Sequence, residues 1–437
     1  MPLPRTPDEA LGFLAGLNPS GIKLGLERVR EALAALGHPE RRYPSLHVAG
    51  TNGKGSTCAF ATAALSVAGH RVGLYTSPHL SRVNERFQVA GDDISDEVLG
   101  RRILEVLARY PEAAHTPAPL TYFEFATVVA LWHFAQEGVS VAVLETGLGG
   151  RLDATNTVTP LVTAITPVSF DHMDYLGNTL EAIAGEKAGI LKPGVPAVLS
   201  RQEPEALRAL VRVADEVGAP VLLEDRDFAL ASEPGGTFAY RGTRFQLEGL
   251  SLALRGLHQR QNAAVALAAL EQLDARGVAV SAEAARAGLA SARWPGRLEE
   301  LGCQPPVLLD GAHNPAGMKV LLASLEALYP GRALHAVFGV VADKDRGPMM
   351  QGLFPRCASV HLTPLDTPRS LPPERYLPEA QALCAAVYAY ASLDDALAGA
   401  RSQARPGDVI LCTGSLFLIG AIRSRFMRNL GVKHERA

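Results

Sequence analysis

The sequence predicts an α/β protein: a parallel-sheet, phosphate-loop ATPase domain with a small antiparallel β excursion, then a smaller Rossmann-like C-terminal domain. Three observations predict it. Short apolar runs alternate with helical stretches, a glycine-rich loop carrying a lysine joins the first clear run to its helix, and breakers at residues 293–297 separate two such series. A chain of 437 residues is too long for one small fold and suits two modules.

The elements follow in order. Residues 46–49 are an apolar run ending in a glycine turn, and residues 54–68 carry helical spacing. The rhythm repeats as helix 122–136 before the run 141–144, then the run 161–165, then 195–199 before helix 204–217. This is the pattern of a parallel sheet covered by helices. From 221 to 254 short alternating segments, with turns at Gly235, Gly236 and Gly242, predict the antiparallel excursion. Helices at 259–273 and 282–292 come next. Arg293, Trp294, Pro295, Gly296 and Arg297 have the punctuation of a linker, which divides the chain into domains 1–295 and 296–437. The second series opens at 307–310 and continues through 333–339, 359–362 and 409–412, each run followed by helical sequence.

Composition narrows the function. With 47% hydrophobic and 20% charged residues, the chain builds a buried core and is not a disordered polymer. Lys and Arg total 42 against 45 Asp and Glu, a net charge of −3, so there is no basic footprint for nucleic acid. The five cysteines include no C-x-x-C pair, which argues against a disulfide framework or a zinc site. The first residues contain no apolar signal segment, and no apolar stretch is long enough to span a bilayer, so the expected location is cytoplasmic with no membrane partner. Nothing in the sequence demands more than a monomer. Lysine occurs only at 23, 54, 187, 192, 319, 344 and 433. Its placement is therefore informative, because only the amine loses its proton at modest cost or meets a phosphate as a compact point charge.

The loop Gly50, Thr51, Asn52, Gly53, Lys54, Gly55, Ser56 and Thr57 lies between a buried run and a helix. Backbone N–H groups and the positive helix end suit an anion there, Lys54 reaches the outer phosphates, and Ser56 or Thr57 adds a hydroxyl. The match to G-x-x-x-x-G-K-[ST] is imperfect, since Val48 holds the first glycine position and Gly55 follows the lysine directly.

This variant of the loop resembles that of the Mur ligase superfamily, and the segments after it are similar to its folate branch. They include Thr76-Ser-Pro-His-Leu80 with Arg82, Leu120-Thr-Tyr-Phe-Glu124, Glu145-Thr-Gly-Leu-Gly-Gly-Arg-Leu-Asp-Ala-Thr-Asn156, Asp171-His172, Gly185-Glu-Lys-Ala-Gly189, His258-Gln-Arg-Gln-Asn262, Pro295-Gly-Arg297, Asp310-Gly-Ala-His-Asn-Pro315 and Asp343-Lys-Asp345. The resemblance covers residues from about 20 to about 420. It implies an ATP-dependent amide ligase: a pterin-linked carboxylate takes the γ-phosphate, and the acyl phosphate is captured by L-glutamate. The R-L-D-A-T-N form of the loop at Arg151 to Asn156 favours both activities of the branch, first addition to dihydropteroate and chain extension on reduced folates. The alternatives are chain extension alone, another Mur-type ligase, or a nucleotide-gated switch.

The resemblance also implies roles. Nucleotide binding falls to the phosphate loop with Asn262, Arg297, Asp310 and His313, and two Mg²⁺ ions fall to Ser77, Glu145, His172 and a carbamylated Lys187, with a monovalent cation as a further possibility. The pterin side falls to Leu24, Gly25, Leu26, Arg82, Thr121, Tyr122, Phe123, Glu124, Leu152, Asp153 and Ala154, with Phe123 stacking and Asp153 accepting from the pterin's N–H groups. Each also has a structural reading: Ser77 as a turn, Glu145 as a helix cap, His172 as an ordinary loop histidine, Lys187 as a surface lysine, Phe123 as core, and Asp310 to Asn314 as a strand-to-helix turn capped by Asn314. Lys344 reads either as facing the active site or as a solvated turn.

Overall fold

The computed structural model describes residues 3–17, 25–115 and 119–429. The chain forms two compact units. The first runs to Ala253 and resumes over Arg260–Arg293, and the second takes Leu254–Gln259 and continues from Trp294.

In the first unit eight strands form one sheet: β1 (Ser45–Ala49), β2 (Val72–Tyr75), β3 (Phe87–Val89), β4 (Asp92–Asp93), β5 (Val141–Glu145), β6 (Val162–Ile165), β7 (Ala197–Leu199) and β8 (Val221–Leu223). Their order is β4-β3-β2-β5-β1-β6-β7-β8. Strands β2, β5, β1, β6, β7 and β8 run parallel, while β3 and β4 are antiparallel. Every residue of β1, β2, β5 and β6 is buried, which explains their unbroken apolar runs. Phe60, Phe125 and Phe134 are fully buried under the covering helices, each contributing about 2 kcal/mol by removal from water.

One sequence expectation needs correction. Val221–Leu223 is not part of the antiparallel excursion but pairs in parallel with β7, because its apolar side chains continue the main sheet. The parallel sheet is extended at one edge by the short β3 and polar β4 as a meander. The excursion proper is β9 (Ala229–Ser232), β10 (Phe238–Arg241) and β11 (Gln246–Leu250). Fully buried Glu271 anchors it from helix Gln259–Asp274, accepting from the N–H groups of Thr243, Arg244 and Phe245 and from the hydroxyls of Thr243 and Tyr240. Five donors offset the cost of burying that carboxylate.

The second unit is a six-stranded sheet in the order β12-β13-β17-β14-β15-β16. Its strands are β12 (Glu299–Leu301), β13 (Val307–Leu309), β14 (Leu334–Phe338), β15 (Ser359–Leu362), β16 (Val387–Ala389) and β17 (Val409–Thr413). Only the β12–β13 pair is antiparallel. Phe338 packs edge-on against Phe354 at 5.2 Å within its core. The sequence reading assigns Leu254–Gln259 to the first domain, and the structure gives this segment to the second. There the Leu257 N–H donates to Ser324 Oγ at 3.1 Å, and Arg255 pairs with Glu300 while lying over Tyr329.

Candidate active site

The phosphate loop leaves β1 at the centre of the main sheet, where the C-terminal ends of parallel strands collect ligands. It is fastened to the segment after β6: the Thr51 N–H donates to the Pro167 carbonyl at 3.0 Å, and Thr51 Oγ1 donates to the Ser169 carbonyl at 3.1 Å. Gly53 takes φ +91, and a Cβ there would stand 2.2 Å from Oδ1 of buried Asn262. Only glycine fits. As the N-cap of helix Lys54–Val67, Gly53 has no side-chain acceptor, so the first-turn N–H groups stay available to an anion. Ser56 and Thr57 are buried in that turn.

Two lysines converge on this loop. Lys54 Nζ donates to the carbonyls of Gly50 and Thr51, both at 3.2 Å, and lies 3.9 Å from Glu145 Oε1. Lys187 Nζ, buried in helix Leu180–Ala188, donates to the same Gly50 carbonyl at 2.9 Å. The surface reading of Lys187 is therefore corrected. Burial pushes its ammonium down to about 7, the charge of Lys54 adds to this, and Asp171 and Asp153 oppose it. Glu145, buried at the end of β5, accepts from the Ser77 N–H at 3.2 Å, so Ser77, Glu145, Lys54, Gly50 and Lys187 form one connected group. His172 has left-handed backbone (φ 50) on an exposed segment, with its Nε2 3.9 Å from Asp171 Oδ1.

The residues expected at the pterin divide. Phe123 lies against the loop after β5: a Cβ on Gly147 would stand 2.5 Å from its ring, and the Tyr75 ring centre is 6.1 Å away. Thr121 and Glu124 are engaged in a capping box that starts helix Tyr122–Gln136, and Glu124 also pairs with Arg28 at 2.6 Å. Arg82 is engaged with Asp96 at 2.9 Å. Gly25 takes φ +134 and Leu26 is buried, while Leu24 lies outside the described residues. Leu152 is half-buried and Ala154 buried.

Asp153 is held within its own loop. Its carboxylate is fully enclosed and accepts from the N–H groups of Gly147 and Leu148 at 2.9 and 2.8 Å, and from the Thr155 N–H and hydroxyl at 3.0 and 2.5 Å. A carboxylate has about four acceptor positions, and these four are filled within the chain. Asp153 therefore shapes the loop through these four bonds. Desolvation raises its pKa, while those hydrogen bonds oppose the rise. His47 joins the chain through Thr155 Oγ1 at 2.8 Å, and burial holds it at about 3, hence neutral.

In the second unit, Asp310 is buried and accepts from the Leu298 and Ala312 N–H groups, and the Arg297 guanidinium lies so close over Gly311 that a Cβ there would meet it at 2.1 Å. His313 Nδ1 sits 2.8 Å from the Gly311 carbonyl, and Asn314 caps helix Pro315–Leu328 by accepting from the Gly317 N–H. Lys344 lies in a turn, its N–H donating to Val341.

Comparison with known proteins decides the family. Residues 48–270 match the Mur ligase middle domain and residues 296–416 the Mur ligase glutamate ligase domain. The dihydrofolate synthase/folylpolyglutamate synthase of Bacillus subtilis is 39% identical over 425 residues, covering 95% of this chain and 98% of that protein. The chain belongs to the dihydrofolate synthase/folylpolyglutamate synthase branch of the Mur ligases. Among solved structures, Escherichia coli FolC in complex with DHPP and ADP superposes on this Mur ligase with a TM-score of 0.89, at 34% identity over 98% of this chain and 99% of that one. The bifunctional folylpolyglutamate synthase/dihydrofolate synthase from Yersinia pestis, complexed with AMPPNP and Mn ion, has a TM-score of 0.85 at 34% identity and covers 98% of both chains. Arg86, which no sequence pattern singled out, is the further side chain of note in this Mur ligase: a buried guanidinium 5.3 Å from the centre of the Tyr122 ring. Its burial, the only feature that marks it, is invisible in sequence. Among the described residues no helix is long and apolar enough to cross a membrane.

Proposed function

We propose that this protein is a bifunctional ATP-dependent ligase that adds L-glutamate to dihydropteroate, forming dihydrofolate, and to the γ-glutamyl chain of reduced folates, releasing ADP and phosphate through an acyl phosphate. The observation that carries the reading is the meeting of Lys54, Lys187 and Glu145 around Gly50. A nucleotide switch needs the first lysine but has no use for a second one buried beside it.

The residues have distinct tasks. Lys54 and the open N–H groups of its helix hold the outer phosphates, as a point charge and a dipole end. Glu145 and Ser77 supply hard oxygen donors suited to Mg²⁺, with His172 proposed for a second ion. Divalent ions bound there would neutralise charge on the transferring phosphoryl group. Lys187 as a free ammonium would repel a cation, but an amine with a pKa near 7 is in part neutral at physiological pH and so open to carbamylation by carbon dioxide, which turns it into an anionic oxygen ligand. Asn262 fixes the loop at Gly53, and Arg297, Asp310 and His313 serve the nucleotide from the second unit, which is also the glutamate side. Phe123 offers its ring to the pterin beside Gly147. The protein works as a cytoplasmic monomer, and a monovalent cation belongs to the same proposal.

The test is phosphate release from ATP and Mg²⁺ with L-glutamate, comparing dihydropteroate, tetrahydrofolate and no pterin, with product masses recorded. Release that requires pterin and glutamate, with one glutamate gained on both acceptors, is the expected result. Gain on folate alone reduces the function to chain extension, and pterin-independent hydrolysis overturns it.

A further inference from the structure

Arg86 is buried to all but 8% of its surface, and its environment does not neutralise it. Its Nε–H donates to His79 Nδ1 at 2.9 Å, and its guanidinium faces the ring of Tyr122. The His79 nitrogen that accepts this N–H carries no proton, so the contact is a hydrogen bond to a ring lone pair and supplies no carboxylate counter-charge. Among the described residues no Asp or Glu forms an ion pair with Arg86, and its two terminal nitrogens have no hydrogen bond within the chain. Those nitrogens are also not sealed from solvent, since they are absent from the buried, unpartnered polar atoms of the protein. A desolvated guanidinium that keeps two open donors is a costly arrangement for a fold and a ready one for a carboxylate, which it meets in bidentate fashion.

The location is specific. The Arg86 carbonyl accepts from the Thr76 N–H at the end of β2, the strand beside β5, and the next residue, Ser77, donates to Glu145. Tyr122, on which Arg86 lies, is adjacent in sequence to Phe123, whose ring packs against Gly147 two residues past Glu145. The cation thus lies on an aromatic residue proposed for the pterin, and its backbone is bonded to Thr76, which precedes the residue that donates to the carboxylate proposed for the metal.

Resting on the ligase reading above, the geometry points to Arg86 as the site for the carboxylate of the acceptor that does not react. The two acceptors differ in this respect. Dihydropteroate has a single carboxylate, which must be phosphorylated, whereas a folate ending in glutamate carries a reacting γ-carboxylate and an α-carboxylate that has to be left alone. Pairing the α-carboxylate with Arg86 aims the γ-carboxylate at the phosphate and makes Arg86 a determinant of chain extension, with His79 as its positioning residue.

The test compares kcat/KM for tetrahydrofolate and for dihydropteroate in Arg86→Gln. The ratio of the two is expected to fall by about tenfold or more, with partial recovery in Arg86→Lys. A variant in which both values fall in proportion overturns the proposal and leaves Arg86 a structural residue. Because Arg86→Gln risks misfolding, unmodified enzyme is also assayed with a tetrahydrofolate whose α-carboxylate is an amide. Its kcat/KM is expected to drop by about tenfold or more relative to the free acid, and equal use of the two overturns the proposal. An enzyme that ligates glutamate to neither acceptor refutes the ligase reading itself, which is a separate outcome.

Discussion

Lys54 and Lys187 donate to one and the same acceptor, the carbonyl oxygen of Gly50, at 3.2 and 2.9 Å. Two amines on one carbonyl do different work. Lys54 starts the helix and retains access to solvent, while Lys187 is enclosed. Lys54→Ala is expected to lower ligase turnover by about a thousandfold or more while lowering the unfolding free energy by only about 1–2 kcal/mol, because besides the phosphate contact it removes two hydrogen bonds to loop carbonyls and no core packing. Steady-state phosphate release and urea unfolding check both halves.

Lys187→Arg is expected to lose most activity, since guanidinium neither deprotonates nor forms a carbamate. In wild-type enzyme, isotopically labelled bicarbonate should give a carbamate resonance that is absent from the variant. A normal rate in the variant refutes the carbamate.

The same lysine makes stability depend on pH. Burial holds its folded pKa at about 7, below the ordinary 10.5, so the unfolded chain binds more protons between those values. Stability therefore rises as pH climbs through that window, and below about pH 7 the full penalty of the buried charge is present. In buffer free of carbon dioxide, wild-type protein is expected to gain stability between about pH 7 and about pH 9 relative to Lys187→Met, measured by urea unfolding.

Asp153→Ala strands the N–H groups of Gly147, Leu148 and Thr155. The expected loss is about 3 kcal/mol of unfolding free energy or more, with activity toward dihydropteroate and folate falling together. A selective loss of dihydropteroate use in a fully stable variant would instead indicate a direct pterin contact.

Gly147→Ala places a methyl group 2.5 Å from the Phe123 ring and must displace it. KM for the pterin substrates is expected to rise by about tenfold, with KM for ATP little changed, in initial-rate assays.

The parts of this protein that were legible in its sequence were those written in local periodicity. Helix Tyr122–Gln136 and strand Ser359–Leu362 stand at the expected residues, because capping residues and apolar runs announce themselves locally. The strands Phe87–Val89, Asp92–Asp93 and Glu299–Leu301 were not legible, being two or three residues long and partly polar, too short to show an alternating pattern. At the site, the rarity of lysine pointed to Lys54 and Lys187. Whether Asp153 and Glu124 faced a ligand or their own chain was hidden, since only folding shows which donors reach a carboxylate first. Arg86 is not legible in sequence, because an arginine without a carboxylate partner looks like any other until its neighbours are in place.

The path of the chain past Ala253 governs how this protein is made. Leu254–Gln259 belongs to the second unit, yet the chain then returns to complete the first with Arg260–Arg293 before leaving for good. On the ribosome the first unit cannot close until Arg293 has emerged, and by then a fragment of the second has waited, without partners, for strands still to be synthesised. An exchange of units between two such enzymes consequently requires three junctions in the gene, at residues 253, 259 and 293, where a linear tether would require one.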